Sequence, residues 1–309
     1  MKIEKILVHM DSSKATKLFL DKIRQLSQSR HVKVELFYCG YSSELHNTYR
    51  FDSKAEQQAI AGFLNSHEEA LAKLADSLIS EGVQASYDVA WCRDIVEGVV
   101  RKSNRMQADL IVTEISQHLT TTSYLLNQGE WQLIAQTSAP VLVVRDSEWA
   151  VHPRLAIAVD PFHQCDEPAE LDHELISVGR YLAASLKAEQ HIVHCFNTIP
   201  QAAIFNEHLT LDYESFHREL RVQHRARLSQ LIEQEKLQET VPHLLEGEVH
   251  EVLKEMIEAN RIDILVLGAL ARGVVDRLLI GSTVERLIGH TRCDLLLVKQ
   301  PSFVSPVTE

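Results

Sequence analysis

The amino-acid sequence predicts an α/β protein built from two tandem domains, each a five-stranded parallel sheet of Rossmann type, packed together as a pseudo-dimer. Three observations support this prediction. The 309 residues are enough for two domains of about 150 residues each. Short aliphatic runs alternate with helical patterns, which is typical of right-handed crossovers between parallel strands. The second half of the chain also repeats the plan of the first.

The repeat is most regular towards the end of each half, where matching residues are 154 positions apart. Segments related in this way are 108–112 and 262–266, 133–134 and 287–288, Thr137 and Thr291, and 141–145 and 295–299. Each half also opens on an apolar run that ends in aspartate, Asp11 in the first and Asp160 in the second. A shared register over about forty residues indicates an internal duplication.

Valine, isoleucine and leucine runs predict strands that are buried on both faces, and apolar residues at helical spacing predict the helices between them. The first half has predicted strands at 4–10, 32–38, 84–91, 108–113 and 140–145, and helices at 13–29, 54–81, 93–106 and 129–137. The second half has predicted strands at 154–160, 190–196, 241–246, 262–267 and 293–298, and helices at 168–187, 212–236, 247–260 and 282–291. A short linker at 146–153 joins domains that we place at 1–147 and 152–309.

Composition and charge exclude several classes of protein. Apolar residues make up 45% of the chain and aromatic residues only 6%, which suits an aliphatic α/β core. The formal net charge of −12 argues against a nucleic-acid partner. No apolar run reaches roughly 18 residues, and the strand predicted near the start leaves no room for a signal peptide, so we expect no membrane span and no export. The five cysteines are widely spaced without a C-x-x-C pair, which favours a reducing cytoplasm.

A glycine-containing loop in the second half is typical of a phosphate site. Gly268 follows a predicted strand, and Gly281, Ser282 and Thr283 precede a predicted helix. Glycine lets the backbone approach an anion closely, and the first amides of a helix have no internal partner. Because residues 151–309 carry 15 basic against 24 acidic side chains, local amides rather than the overall charge would have to hold the anion.

An aspartate after the first strand, five alternating units and the glycine pattern together resemble the universal stress protein family, in its tandem form. The supporting stretches are Trp91-Cys92-Arg93, Gln117-His118, Asp146-Ser147-Glu148-Trp149 and 267–285. The resemblance covers nearly the whole chain and implies an adenine nucleotide alpha hydrolase-like fold with the two domains paired. It also implies a cytoplasmic stress-response or survival factor, and some family members bind ATP or related nucleotides. In those members the matching aspartate contacts adenosine and the glycine loop holds the phosphates, which assigns these roles here to Asp160, Gly268, Gly281, Ser282 and Thr283.

Two departures from the family pattern affect the expected site. Ala271 stands where the family has a second glycine, and its methyl group would either strain the loop or crowd a phosphate. Arg272 and Arg277 are placed to compensate by reaching phosphate oxygens. Pro161 and Phe162 stiffen and enlarge the segment on the adenine side.

The first half lacks the phosphate motif. Glu114 occupies the position of Gly268, Gln117 that of Ala271, and 127–129 that of 281–283. A carboxylate at the loop entrance repels phosphate. We therefore expect the first domain to bind no nucleotide, even though Asp11 is retained.

Histidine and cysteine are frequent in the second half, but we do not predict a metal site. His191 and Cys195 share a face of one strand and lie far apart along it, and His194 points to the other face. A second group near Asp160 consists of His163, Cys165, Asp166 and His173. Surface histidines are the more usual explanation for that group.

Two apolar segments follow the second strand of each domain and have no clear helical pattern. They contain Tyr41, Tyr49 and Phe51 in the first half and Phe196, Ile199, Pro200, Ile204 and Phe205 in the second. They either cover a ligand cavity between the domains or cap the core and the domain interface. The first interpretation gives an alternative function, a non-nucleotide interaction protein or a carrier of a hydrophobic metabolite.

The leading interpretation is a nucleotide-responsive protein that is not an enzyme. ATP with Mg²⁺, or another phosphate-bearing small molecule, is expected in the second domain at Asp160, Gly268, Ala271, Arg272, Gly281, Ser282 and Thr283. The sequence has no hydrolase, zinc-protease or P-loop motif, so slow ATP hydrolysis is the most activity that we expect. Binding would favour one arrangement of the loop or of the domain interface. The paired domains are compatible with a further homodimer.

Overall fold

The computed structural model describes residues 2–12, 14–28, 31–49, 52–115, 128–162, 170–197, 213–269, 284, 286–287 and 291–308. Its strands are β1 (Lys5–Met10), β2 (Lys33–Gly40), β3 (Gln84–Trp91), β4 (Leu110–Glu114), β5 (Val141–Val144), β6 (Arg154–Ala158), β7 (Glu189–Phe196), β8 (Val241–Glu246), β9 (Ile264–Gly268) and β10 (Asp294–Val298). Its helices are α1 (Lys17–Leu26), α2 (Ser43–Tyr49), α3 (Ser53–Ser80), α4 (Ile95–Met106), α5 (Gln128–Gln136), α6 (Glu170–Leu186), α7 (Tyr213–Gln234) and α8 (Val249–Asn260). Every predicted strand is present, with each end within two residues of the prediction. Across these described ranges, no helix has both the length and the apolar content that crossing a membrane would need.

The ten strands form one continuous sheet in the order β3-β2-β1-β4-β5-β10-β9-β6-β7-β8. Within each half all strand pairs are parallel, whereas β5 and β10 pair antiparallel at the centre, with Leu142 opposite Leu296. An antiparallel pair at the join relates the halves by an approximate two-fold axis, because the strand order read outward from the centre is the same on both sides. The predicted pseudo-dimer is therefore built around a shared sheet.

The strands are apolar because helices cover both faces of the sheet. Strand β5 shows this, since Leu142 belongs to the core on one face while Val141 and Val143 belong to the core on the other. Leu296 joins the first core and Leu295 the second, so both cores cross the join between the halves. Continuous aliphatic layers on each face thus hold the two domains together.

The turns that lead into β4 and β9 confirm that the two halves share one plan. Gln107 and Arg261 are 154 positions apart, and each ends a helix in the left-handed conformation, with φ of 54° and 50°. The aspartates that follow these turns have the same role in both halves. Asp109 accepts backbone N–H bonds at the start of β1, and Asp263 does the same at the start of β6.

Two helices in the described part of the first half differ from the prediction. Helix α1 begins at Lys17 after the N-cap Thr16, later than the predicted start at 13. Residues 43–49 form helix α2 where we expected irregular structure. The Ser42 hydroxyl accepts the backbone N–H of Leu45 at 3.2 Å and so caps the helix. His46 Nδ1 lies 2.7 Å from Glu56 Oε1 on α3, which fixes α2 against its neighbour. None of the seven residues of α2 is buried, so the apolar periodicity that reveals a helix in a sequence is absent.

Candidate functional site

Asp160 and Gly268 lie at the carboxyl ends of two adjacent strands in the second half of the sheet. Asp160 comes two residues after β6, and Gly268 is the last residue of β9. These strands are adjacent and parallel, with Ile157 opposite Val266, so both residues reach the edge where doubly wound sheets bind ligands. The other predicted site residues, Ala271, Arg272, Gly281, Ser282 and Thr283, lie outside the described residues, as does Arg277.

Asp160 has a structural role in its own turn. Its carboxylate Oδ1 accepts the backbone N–H of Phe162 at 3.2 Å, a common use of aspartate at the start of a turn. The N–H of Asp160 donates to the carboxylate of Asp172 on α6, which is buried. The turn fixes the direction in which the Asp160 carboxylate points, and this role is compatible with a nucleotide contact.

Gly268 allows a helix to approach the sheet closely. A Cβ at this position would lie 2.7 Å from Leu171 Cδ2 on α6, which is closer than real Cβ contacts. Leu171 is part of the core between the sheet and α6. Packing therefore requires a glycine here whether or not an anion binds, and Gly268 alone does not establish a phosphate site.

Two buried histidines form a hydrogen-bonded pair next to Asp160. His194 on β7 and His224 on α7 are 3% and 7% exposed, and His194 Nε2 lies 2.7 Å from His224 Nδ1. His194 Nδ1 lies 3.2 Å from the carbonyl oxygen of Val159, which can only accept, so Nδ1 carries the proton of the neutral ring. His194 Nε2 then accepts and His224 Nδ1 donates. One backbone carbonyl thus fixes the tautomers of both neutral rings.

The surroundings keep this histidine pair neutral. Burial lowers the pKa of both rings, because desolvation disfavours the imidazolium form, and the nearby charge of Asp160 opposes the lowering. Phe196 stacks on His224 with 4.3 Å between ring centroids, and Phe162 lies 4.3 Å from the same ring. The edge beside Asp160 therefore carries the half-buried ring of Phe162, with the buried Phe196 and a neutral imidazole pair behind it.

The sequence places His194 in a group of possible metal ligands but does not predict this pair. The two histidines are 30 positions apart and meet only because α7 packs over β7. A signal was available in the strand pattern, because His194 shares a face with Ile192 and Phe196, which are buried. A histidine in the middle of a buried face needs a polar partner, and that partner comes from a distant helix.

Among the described residues, no set of three His, Cys, Asp or Glu side chains is arranged to hold a metal ion. His191 Nδ1 lies 2.9 Å from His243 Nε2 on β8. His173 on α6 lies 2.7 Å from Glu235 and is mostly exposed, as the surface explanation predicts. His163, Cys165 and Asp166 lie outside the described residues.

In the first half, a cavity of about 310 Å³ occupies the corresponding edge of the sheet. Three carboxylates line it, those of Asp11, Glu114 and Asp146. Glu114 Oε1 accepts a hydrogen bond from the Thr16 hydroxyl at 3.1 Å, and burial raises the pKa of the Glu114 carboxyl. Lys14 is the one Lys or Arg side chain among the described lining residues, so acidic groups outnumber basic ones there and disfavour a phosphate ligand.

The described part of the first apolar segment packs on its own domain. Tyr41 lies 5.2 Å from Trp91 between ring centroids, and Phe63 of α3 lies 5.5 Å from the same indole. Tyr41 thus caps the core of its domain, as the second interpretation of this segment predicts. Tyr49 is 39% exposed, and Phe51 and residues 198–206 lie outside the described residues.

Comparison with known proteins identifies one family over both halves of the chain. The Universal stress protein family matches residues 2–145 and 155–299. The Universal stress protein E homolog of Haemophilus influenzae is 24% identical over 306 residues, which cover 97% of this chain and 98% of that protein. Universal stress protein E of Escherichia coli strain K12 is 23% identical over 98% of this chain and 96% of its own length.

Solved structures agree at the level of the fold. A putative universal stress protein from Pseudomonas aeruginosa UCBPP-PA14 has a TM-score of 0.72 at 18% identity, over 96% of this chain and 94% of that chain. A universal stress protein from Archaeoglobus fulgidus DSM 4304 has a TM-score of 0.66 at 16% identity, over 97% of this chain and 99% of that chain. With both halves matched and the ten-stranded sheet in place, this chain belongs to the universal stress protein family, in its tandem two-domain form.

Proposed function

We propose that this protein is a cytoplasmic stress-response factor that binds ATP, or a related phosphate-bearing ligand, in its second domain at 152–309. The observation that supports the proposal best is the position of Asp160 and Gly268 at the carboxyl ends of two adjacent strands, β6 and β9. The strand-loop-helix pattern of the sequence, which is typical of a phosphate site, begins at Gly268. The role in stress rests on the family and on the relatives that are named universal stress protein E.

The half-buried ring of Phe162 beside Asp160 suits the adenosine part of the ligand. It is within two residues of the Asp160 carboxylate, which would accept a hydrogen bond from a ribose hydroxyl. The guanidinium carbon of Arg227 on α7 lies 5.9 Å from the centroid of the Phe162 ring. Arg227 adds positive charge in an otherwise acidic domain, and the loop amides and Arg272 would hold the phosphates.

The first domain, at 1–147, serves as the structural partner in this proposal. Its corresponding cavity is lined by the carboxylates of Asp11, Glu114 and Asp146 against the ammonium group of Lys14, a balance that disfavours phosphate. The shared sheet makes this domain one side of the interface that a ligand in the second domain would influence. A ligand shifts that interface only if it binds two arrangements with different affinity.

Calorimetric titration of the intact protein with ATP, with and without Mg²⁺, tests the proposal. We expect one site per chain with a Kd of roughly 1 μM, which corresponds to about 8 kcal/mol. Gly281→Val should abolish binding, because a branched side chain blocks backbone approach to the phosphates. Circular dichroism of this variant controls for folding. Absence of binding by the intact protein would contradict the proposal and would indicate that Ala271 and residues 161–162 close the site.

A further inference from the structure

Two cysteines of the first half have their sulfur atoms next to each other. Cys39 is buried near the end of β2, and Cys92 directly follows β3 and is half-buried. These strands are adjacent and parallel, and the Cys92 N–H donates to the carbonyl of Gly40 at 3.1 Å. Both side chains therefore lie on the same face at the carboxyl edge of the sheet. The two sulfur atoms are neighbours, because both lie beside the same point of helix α4, at Gly98.

Gly98 of α4 makes room for these two sulfur atoms. A Cβ at this position would lie 2.6 Å from the sulfur of Cys39 and 2.6 Å from the sulfur of Cys92. The sulfur pair therefore fills the space that a helix side chain would otherwise occupy. A glycine inside a helix costs about 1 kcal/mol relative to alanine, and the sulfur pair explains why glycine is present here.

The second half has only one of the two thiols. Cys195 corresponds to Cys39, because each is the second-last residue of its strand. Gly247 stands at the position of Cys92, and its N–H donates to the carbonyl of Phe196 at 3.0 Å in the same way. Cys195 is therefore a matched thiol without a partner cysteine at this position.

On the helix that follows, the second half has the larger residue of the two. Val252 of α8 stands where α4 has Gly98, 154 positions earlier. A Cβ on Gly247 would lie 2.9 Å from Val252 Cγ1. The second half thus places the larger side chain on the helix, and the first half places it at the end of the strand as Cys92. At these equivalent positions, only the first half has two cysteines.

Cys92 is the more accessible and the more acidic of the two thiols. The neighbouring Cys39 thiol lowers the pKa of the Cys92 thiol, with Arg101 acting in the same direction and burial, Glu97 and Asp94 opposing. The neighbouring Cys92 thiol and burial raise the pKa of the Cys39 thiol. The thiolate is the nucleophile in thiol chemistry, so Cys92 reacts first.

We propose that Cys39 and Cys92 form a peroxide-reactive dithiol that closes to an intramolecular disulfide. The Cys92 thiolate attacks a hydroperoxide, so that an S–O bond forms, the O–O bond breaks, and the other oxygen leaves with a proton as water or an alcohol. The Cys39 sulfur then attacks the sulfenic acid, so that the S–S bond forms and the S–O bond breaks. The hydroxyl leaves as water with the Cys39 proton. The two thiols lose two electrons in total, and the peroxide gains them.

Helix α4 connects this dithiol to the edge of the first domain. Ile95, Val96 and Val99 of α4 line a second cavity of about 180 Å³, which shares Asp11 and other lining residues with the larger cavity. Gly98, on the same helix, borders both sulfur atoms. Formation of an S–S bond therefore acts on the helix that bounds this cavity.

Peroxide treatment of the intact protein followed by thiol mapping tests the proposal. The protein is treated with hydrogen peroxide, alkylated with N-ethylmaleimide under denaturing conditions, and digested for mass spectrometry. We expect the free thiols to fall from the five of the sequence to three, with one peptide cross-link between Cys39 and Cys92 and with Cys195 still alkylated. Full alkylation of Cys39 and Cys92, or equal loss of the Cys195 thiol, would overturn the proposal.

Two variants separate the chemical steps from effects on folding. In Cys39→Ser, Cys92 should accumulate as a sulfenic acid that dimedone traps, without a cross-link. In Gly98→Ala, a methyl group displaces the sulfur atoms, and the cross-link yield should fall several-fold. Gly62→Ala in α3 is the matched control, because nothing lies within 4 Å of its added Cβ. An unchanged yield in a folded Gly98→Ala variant would show that the proximity of the sulfurs has no role.

The alkylation rate at pH 7 gives an independent readout on the untreated protein. The thiolate is the form that reacts, and the neighbouring Cys39 lowers the pKa of the Cys92 thiol whereas burial raises that of Cys195 to about 12. Iodoacetamide should therefore modify Cys92 faster than Cys195. Equal rates at the two cysteines would contradict the proposal.

Discussion

Lys22 Nζ lies 2.7 Å from Asp294 Oδ2, and this buried ion pair joins the two halves of the chain. Lys22 belongs to α1 and Asp294 begins β10, and their side chains are 2% and 0% exposed. The same carboxylate accepts the indole N–H of Trp149 at 2.8 Å and the backbone N–H of Arg145 at 2.8 Å. Charges are tolerated at such depth only when their hydrogen bonds are satisfied, and these contacts satisfy them.

Removal of one member of this pair should strongly destabilise the protein. Lys22→Met or Asp294→Asn leaves the other charge buried without its partner, which lowers the free energy of unfolding by about 3–5 kcal/mol. Urea unfolding followed by tryptophan fluorescence measures the change. Lys2→Met is the control, because its ion pair with Glu4 is largely exposed and its loss should have no measurable effect. Similar effects from the buried and the exposed substitutions would contradict this account.

The strands could be predicted from the sequence because their signal is local. Burial on both faces leaves an unbroken aliphatic run, and residues such as Leu110, Ile111 and Val112 are fully buried as that run predicts. The offset between the halves is visible in the same way, since Thr137 and Thr291 each donate their backbone N–H to the carbonyl of the leucine four residues earlier.

The ion pair and the histidine pair could not be predicted, because each depends on packing between distant elements. Lys22 and Asp294 are 272 positions apart, and a lysine on an amphipathic helix is usually exposed. The internal repeat does not indicate the ion pair either, since Pro140 stands at the position of Asp294 in the first half. In the candidate site, the sequence located Asp160 and Gly268 at the sheet edge. It could not show that Leu171 also requires the glycine.

Buried histidines should make the protein less stable in mild acid. Burial lowers the pKa from its ordinary value of 6.5 for His9, His191, His194, His224 and His243. Below pH 6.5 the unfolded chain binds protons that the folded protein excludes, so the free energy of unfolding falls by up to about 1.4 kcal/mol per pH unit and histidine. Urea unfolding at pH 7.5 and 5.5 should therefore give the lower value at pH 5.5.

Asp294 contributes with the opposite sign, because burial raises the pKa of its carboxyl to about 6 and the folded protein takes up a proton that the unfolded chain releases. Burial raises the pKa of the Glu114 carboxyl as well, which acts in the same direction as Asp294, and the five histidines outnumber these two carboxyls. His224→Gln keeps a donor for His194 Nε2 and removes one titrating ring, so it should reduce the dependence on pH. A free energy of unfolding that rises on acidification would contradict the assignment of neutral buried rings.

Two helical glycines should respond to alanine with opposite signs. Gly62→Ala in α3 places its Cβ in open space and should stabilise the protein by about 1 kcal/mol through helix propensity. Gly179→Ala in α6 places its Cβ 2.5 Å from Cδ1 of Ile157, a fully buried core residue. Overpacking there should exceed the helix gain and destabilise by about 1–2 kcal/mol. Urea midpoints that move in the same direction for both variants would show that α6 can retreat from the sheet.

The placement of the ligand in the second domain is tested most directly by ATP titration of two matched variants, Asp160→Asn and Asp11→Asn. Asparagine keeps an oxygen that accepts the N–H of Phe162, so the turn after β6 is preserved while the charge is lost. We predict one ATP per chain, at least roughly tenfold weaker binding in Asp160→Asn, and unchanged binding in Asp11→Asn. Two ATP molecules per chain, or equal weakening by both substitutions, would contradict the assignment of the site to the second domain.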